Sequence, residues 1–405
     1  MYRRRFLTET SLFLGAGLGL GAGLAALPAR LALAAAPTDR RLVLLLLRGG
    51  LDGLHAVVPY EDPQYRALRP TLALPPPGEA GGVLDLDGDF GLHPALGPLR
   101  TLYGRGELAV LPAATTAYRD RSHFDGQNLL ENGSGKAFGA RDGWLNRAVA
   151  ALGEGGAAGE QARLGLALGP AVPLILRGDG GVQTWSDSRL PEVSEDFLKR
   201  LAKVYASDPA FEAALAQARG APTPEIDGMG GRRRPFGDGD LVLSARAAAD
   251  LLKRPDGPRV AVMESQGWDT HFDQGRRLDA LLGDISAALV ALRDGLGPAW
   301  RHTAVLVVSE FGRTAAENGS RGTDHGIGGL ALLAGGNLRG GRVLGDWPGL
   351  AKRNLYEGRD LQPVNAYEDL FAAALVDHLG LAPDVVDRFV LPSGRADRRL
   401  SGLFA

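Results

Sequence analysis

The stretch "VLVVSEFGRTAAENGSRGTDHGIGG", residues 305–329, runs an apolar, β-branched segment straight into carboxylate, guanidinium and imidazole groups. A short apolar run bounded by polar residues and glycine reads as a strand buried on both faces, the pattern of a parallel sheet. Ser309, Glu310, Arg313, Asp324 and His325 then crowd the loop at its end. In open α/β sheets ligands gather beyond the carboxyl ends of the strands. The other strands are therefore expected to deliver matching residues.

They do. "RRLVLLLLRGG" (40–50) reads as a second buried strand, and it leads to Asp52 and His55. "ELAVLPA" (107–113) leads through Thr115 and Thr116 to Ser122, His123 and Asp125. Ser122 is a favourable residue to open a helix over 122–133, and Gly133 to close it. "PRVAVMES" (258–265) leads to Glu264, Asp269, His271 and Asp273. Five of the seven histidines lie in or near these turns, while His302 and His378 read as structural.

Helical patterns at 93–106, 142–155, 241–254, 272–296 and 365–381 alternate with the strands, and "RLGLALG" (163–169), "VPLILRG" (172–178) and "GGLALLAGG" (328–336) read as further short strands. This alternation predicts an α/β fold, a mostly parallel central sheet with helices on both faces. Residues 178–240 break the rhythm and read as an inserted cap. It comprises two amphipathic pieces, 194–206 and 208–220, and a loop at about 220–240 whose Arg232, Arg233 and Arg234 form a solvated tip. "DLDGD" (85–89) resembles part of a calcium loop but lacks its closing glutamate, so it reads as a surface turn.

Cysteine is absent, which excludes disulfides, thiolate metal sites and cysteine nucleophiles. Carboxylates and imidazoles suit a divalent cation: zinc first, with magnesium, calcium or manganese as alternatives, as one ion or two. A serine hydroxyl at a helix start, where backbone N–H groups favour an anion, adds the pattern of metal-assisted ester hydrolysis.

The first residues follow a different logic. "MYRRRFLT" is a charged segment, a glycine-rich apolar run follows, and "ALAAAP" offers an A-x-A cleavage site. Arg3-Arg4-x-Phe6-Leu7 fits the twin-arginine export pattern. Residues 1–34 therefore read as a signal peptide, and 35–405 as one exported, periplasmic domain without a lasting membrane span. Residues 1–34 carry a net +3, so the chain's −2 becomes −5 once they are removed. A mildly acidic chain without a basic stripe is a poor nucleic-acid binder.

"LLRGGLDGLHAVVPYEDPQY", "FGLHPAL", "YRDRSHFDGQNLLENG", "GWDTH", "SEFGRT" and "GTDHG" together resemble the domain of unknown function 1501 family. Those are twin-arginine-exported members of the alkaline phosphatase and sulfatase superfamily. The resemblance implies an alkaline-phosphatase-like sheet with metals at its carboxyl end. It assigns Asp52, Asp269, His271, Glu310 and His325 as metal ligands, Ser122 as nucleophile with Thr115 and Thr116 as rivals, and Glu264 as the glutamate five positions before a metal aspartate. His55, His123, Asp125 and Asp324 are further site candidates. Phe311 stands where the superfamily usually has a ligating histidine. One of two metals would then lose an imidazole unless His55, His123 or Asp324 substitutes; alternatively Arg313 would hold an oxyanion in place of the second metal.

The function expected is an exported metallohydrolase of anionic phosphate or sulfate esters, handled by the twin-arginine machinery. The alternatives are a binding or assembly protein that keeps the fold without the chemistry, and phosphomutase-like transfer.

Overall fold

Arg41–Leu47 (β1) is buried at every position, and its alternate side chains face opposite ways. Val43, Leu45 and Leu47 belong to one apolar core, Leu42, Leu44 and Leu46 to another. A strand with two buried faces needs cover on both. In the computed structural model the first core is closed by helices α1 (Gly97–Gly104), α5 (Leu241–Leu252) and α6 (Gln274–Leu296). The second is closed by α3 (Trp144–Glu154) and α7 (Tyr367–Ala373). Each leucine buried in this way contributes about 1.5–3 kcal/mol relative to exposure.

The structure describes residues 38–154, 163–187, 195–206, 208, 212, 215, 241–394 and 396–405. Among them the main sheet has nine strands: β1, β2 (Leu108–Thr115), β3 (Gly165–Leu168), β4 (Val182–Trp185), β5 (Val260–Ser265), β6 (Thr303–Ser309), β7 (Gly329–Gly335), β8 (Arg342–Val343) and β9 (Asn365–Ala366). Their order is β8-β2-β7-β6-β1-β5-β3-β4, with β9 also pairing β2. The sheet is parallel except at β7, which runs antiparallel to β2 and β6. A parallel return needs a crossover helix. Residues 310–328 contain none, so the chain doubles back instead. The expected α/β class with helices on both faces is what forms.

Two local expectations change. "VPLILRG" contains a 3-10 turn (Leu174–Leu176), not a strand. Val182–Trp185, placed within the inserted cap, is instead the sheet's edge strand. A helix (α4, Glu195–Tyr205) does follow. The signal segment, most of 208–220 and the Arg232–Arg234 loop lie outside the described residues. No described helix is long and apolar enough to cross a membrane. "DLDGD" is a turn in which Asp85 and Asp87 accept backbone N–H groups.

His378 is buried, with Nε2 donating to the Arg41 carbonyl at 2.8 Å and Nδ1 3.1 Å from Asn337 Nδ2. Burial pushes its pKa down to about 4. The unfolded imidazole takes up its proton near pH 6.5 but the folded one only near 4, so stability falls as pH drops through that window. His378→Gln should remove a share of that acid-side slope, up to about 3 kcal/mol over the window. Urea denaturation at pH 4.5 and 7 checks this; an unchanged slope would contradict it.

Candidate metal centre at the strand ends

Four loops meet beyond the carboxyl ends of β1, β2, β5 and β6. The loop after β6 folds on itself through Gly312 N–H to Ile327 O, Gly326 N–H to Gly312 O and Thr314 N–H to Asp324 O. It also joins the β5 loop, with Thr323 N–H donating to Thr270 O and Gln274 N–H to Arg321 O.

Arg313 locks these loops together. Its guanidinium is fully buried and donates to the carbonyls of Gly50 (2.7 Å), Trp268 (3.0 Å), Thr323 (3.2 Å) and Gly49, and to Asp269 Oδ1 (2.7 Å). Gly49 has to be glycine here. Its φ is +123°, and a Cβ would stand 2.5 Å from Asp269 N. Arg313 is thus spent on the protein itself and cannot serve as the expected oxyanion partner.

Asp269 Oδ1, on a side chain 46% exposed, is the hub of the centre. It lies 2.9 Å from His271 Nε2, 3.1 Å from His325 Nε2 and 3.4 Å from His123 Nε2. His325 Nε2 in turn lies 3.0 Å from His123 Nε2 and 2.9 Å from His271 Nε2. Ligand atoms of His123, Asp269 and His325 all fall within 4.8 Å of one another.

Each imidazole is oriented from behind through Nδ1. His123 Nδ1–H donates to Glu310 Oε1 at 2.7 Å, His271 Nδ1–H to Asp324 Oδ1 at 3.2 Å, and His325 Nδ1–H to the Arg121 carbonyl at 3.0 Å. Holding Nδ1 in this way turns the Nε2 edge of each ring toward the hub. Phe311 is fully buried and stacks under His123, with centroids 4.7 Å apart and planes at 28°. It forms the apolar floor of the centre.

The charges follow from these contacts. Burial works against the Asp269 carboxylate, but the Arg313 hydrogen bond and charge outweigh it and bring its pKa down to about 2. Burial also opposes ionisation of Glu310, and hydrogen bonds from His123 and Gln127 more than offset it, so its pKa is lowered. Burial disfavours charge on His123, yet the Glu310 hydrogen bond raises its pKa. In His325 burial prevails and the pKa is lowered.

The structure thus brings Asp269, His271 and His325 together with His123, and it reassigns several other residues. Asp52 is buried in a two-pronged pair with Arg69 (2.7 and 2.9 Å) and accepts from Gln274 Nε2 at 2.7 Å, so its oxygens face a guanidinium and not a cation site. Gln274 Oε1 accepts from Thr270 and Thr323, which makes the Asp52 group a brace beneath the loops. Glu310 stands behind His123, its oxygens taken by Gly49 N–H, His123, Gln127 and Ser309. Glu264 pairs with Arg48 at 2.8 Å. Asp324 positions His271.

His55 is buried beside His93, with neither ring nitrogen partnered. Asp125 sits in the first turn of α2 (His123–Asn132) without a hydrogen bond or ion pair among the described residues. Ser122 is the N-cap of α2, and its side chain makes no capping bond. Thr115 and Thr116 border a separate cleft that none of the four hub residues lines. The brace residues Arg69 and Gln274 escape sequence reasoning, since neither stands in a distinctive motif.

The family model described as "Protein of unknown function (DUF1501)" matches residues 39–390. The chain belongs to this family. No curated protein is similar enough in sequence to match it. Among solved structures, the family member is similar to the lipoteichoic acid synthase LtaP from Listeria monocytogenes, at 10% identity and TM-score 0.41, over 92% of this chain and 79% of that one. It is also similar to a protein in the alkaline phosphatase superfamily from Vibrio parahaemolyticus, at 14% identity and TM-score 0.39, over 90% and 72% of the two chains. A third is the phosphonate monoester hydrolase of Agrobacterium radiobacter, at 14% identity and TM-score 0.35, over 90% and 79%.

The reassignment of Asp52 has a measurable consequence. Asp52→Asn should cost about 3–5 kcal/mol, because it leaves the Arg69 charge buried without its partner. It should leave the zinc bound per folded molecule unchanged. Asp269→Asn should remove the metal and also cost stability, because it leaves the buried Arg313 charge without its carboxylate. Denaturation paired with elemental analysis checks both variants; zinc lost on Asp52→Asn from protein that is otherwise stable would return Asp52 to the ligand set.

Proposed function

We propose that this protein is an exported, metal-dependent hydrolase of phosphate or sulfate esters. The observation that carries the reading is the convergence of three imidazole Nε2 atoms on one carboxylate oxygen, each ring held through Nδ1. Unbraced histidines have no reason to meet in this way, whereas a set of one carboxylate and three neutral imidazoles suits a borderline divalent ion such as zinc. Bound there, that ion would polarise an ester oxygen and stabilise charge developing on it.

The chain's own residues supply the rest. Ser122 immediately precedes His123, and its hydroxyl, left free of the capping bond, is available as nucleophile. Glu310 and Asp324 keep the rings from turning. Arg313 keeps Asp269 ionised and fixed. Phe311 excludes water from beneath the rings and supplies no ligand, which favours one ion over two. Arg359, whose Nη1 donates to the His325 carbonyl at 3.1 Å and pairs with Asp360 at 2.9 Å, has a part-exposed side chain that can meet an ester's anionic group. Export by the twin-arginine route, with metal taken up before translocation, fits the Arg3-Arg4 pattern.

Protein loaded with zinc should bind about one ion per chain and hydrolyse at least one of a panel of chromogenic phosphate and sulfate esters. Ser122→Ala should retain the metal and lose turnover by on the order of 10³ or more. Metal binding without Ser122-dependent turnover would favour the binding-protein alternative. Failure to bind any divalent ion would overturn the reading.

A further inference from the structure

A second feature lies on the outer flank of β2, where β9 pairs with it. An open cleft of about 400 Å³, within the size range of small-molecule sites, is bordered by Thr115, Arg119, Glu368, Asp369 and Arg398. None of His123, His271, His325 or Asp269 lines it. Two side chains in it are left wanting. Thr115 Oγ1 is buried and has no hydrogen-bond partner. Arg119 donates from Nη1 to the carbonyls of Thr116 and Tyr118, both at 2.6 Å, but pairs with no carboxylate. Its charge is half buried, and burial pulls its pKa down.

The neighbouring acids answer Arg119 only in part: the Glu368 charge works against the fall in its pKa, but no ion pair joins the two among the described residues. Asp369 lies nearer the charge of Arg398, which opposes the rise that burial imposes on it. Glu368 is buried, and desolvation pushes its carboxyl up to about 7, so near neutral pH much of it is uncharged and can donate a hydrogen bond. A half-buried cation whose counter-charge is only partial is costly unless something completes it. A buried hydroxyl without a partner adds a directed donor at the same place.

We propose that this cleft is a second binding site, specific for a small oxyanion (carboxylate, phosphate or sulfate) held by Arg119 and Thr115, with Arg398 at its open side. An oxyanion's oxygens accept from the Nε and Nη2 edge of the guanidinium, which makes no hydrogen bond among the described residues, in the two-pronged geometry that arginine favours. The site is independent of the histidine centre. The segment 117–121 nevertheless connects them, because the Arg121 carbonyl holds His325.

Thermal melting of the full-length protein in inorganic phosphate, inorganic sulfate and sodium acetate, at ionic strength matched with chloride, tests the proposal. At least one anion should raise the melting temperature with a saturating dependence on concentration. Arg119→Met should weaken that response about tenfold or more, and Arg398→Gln, at an exposed position, should weaken it by a smaller factor. His271→Ala should leave it intact, which separates this site from the metal centre. No saturable response in the wild type, a response undiminished in Arg119→Met, or one lost only in His271→Ala would overturn the proposal.

Discussion

The buried guanidinium of Arg313 is the contact on which the architecture of the strand ends depends. It joins carbonyls from the β1 loop, the β5 loop and its own β6 loop, and it pairs with Asp269. A buried charge persists only when fully answered, and here the answer comes from three chain segments at once. Fixing the loops to one another and fixing the carboxylate at the hub are therefore the same interaction. Gly49 permits it, since only glycine lets the β1 loop approach Asp269 N so closely.

Around that hub the site is built in two layers. The inner atoms are Asp269 Oδ1 and three imidazole nitrogens. The outer ones, Glu310, Asp324 and the Arg121 carbonyl, select the tautomer and aim each ring. Such orientation is set before any ligand arrives, so little reorganisation remains for binding. Beneath lies the Phe311 ring, and further down the Asp52–Arg69–Gln274 group ties the β1 loop to the β5 and β6 loops.

Much of this was legible in the sequence, and the limits have physical causes. The apolar runs at 41–47, 260–265 and 303–309 announce buried strands, because a strand covered on both faces cannot alternate in polarity. The residues that follow each run locate the site at the carboxyl edge. Antiparallel β7 was not legible, since its composition is that of any buried strand and only the helix-free 310–328 segment hints at the reversal. Which carboxylate faces the histidines and which is closed off beneath them was not legible either. Asp52 and Asp269 look alike along the chain, but Arg69, 17 positions on, and Gln274 take up the oxygens of Asp52. His123 gave a weak signal as a helix-start histidine; its role depends on Glu310, nearly two hundred positions away.

The most direct measurement of the central claim is X-ray absorption at the zinc edge of the metal-loaded protein. Three imidazole nitrogens at about 2.0–2.1 Å with one carboxylate oxygen in the same shell are predicted. The imidazole signal should weaken by one ring in each of His123→Ala, His271→Ala and His325→Ala. A shell of oxygen ligands alone, or one unchanged when these histidines are removed, would contradict the account.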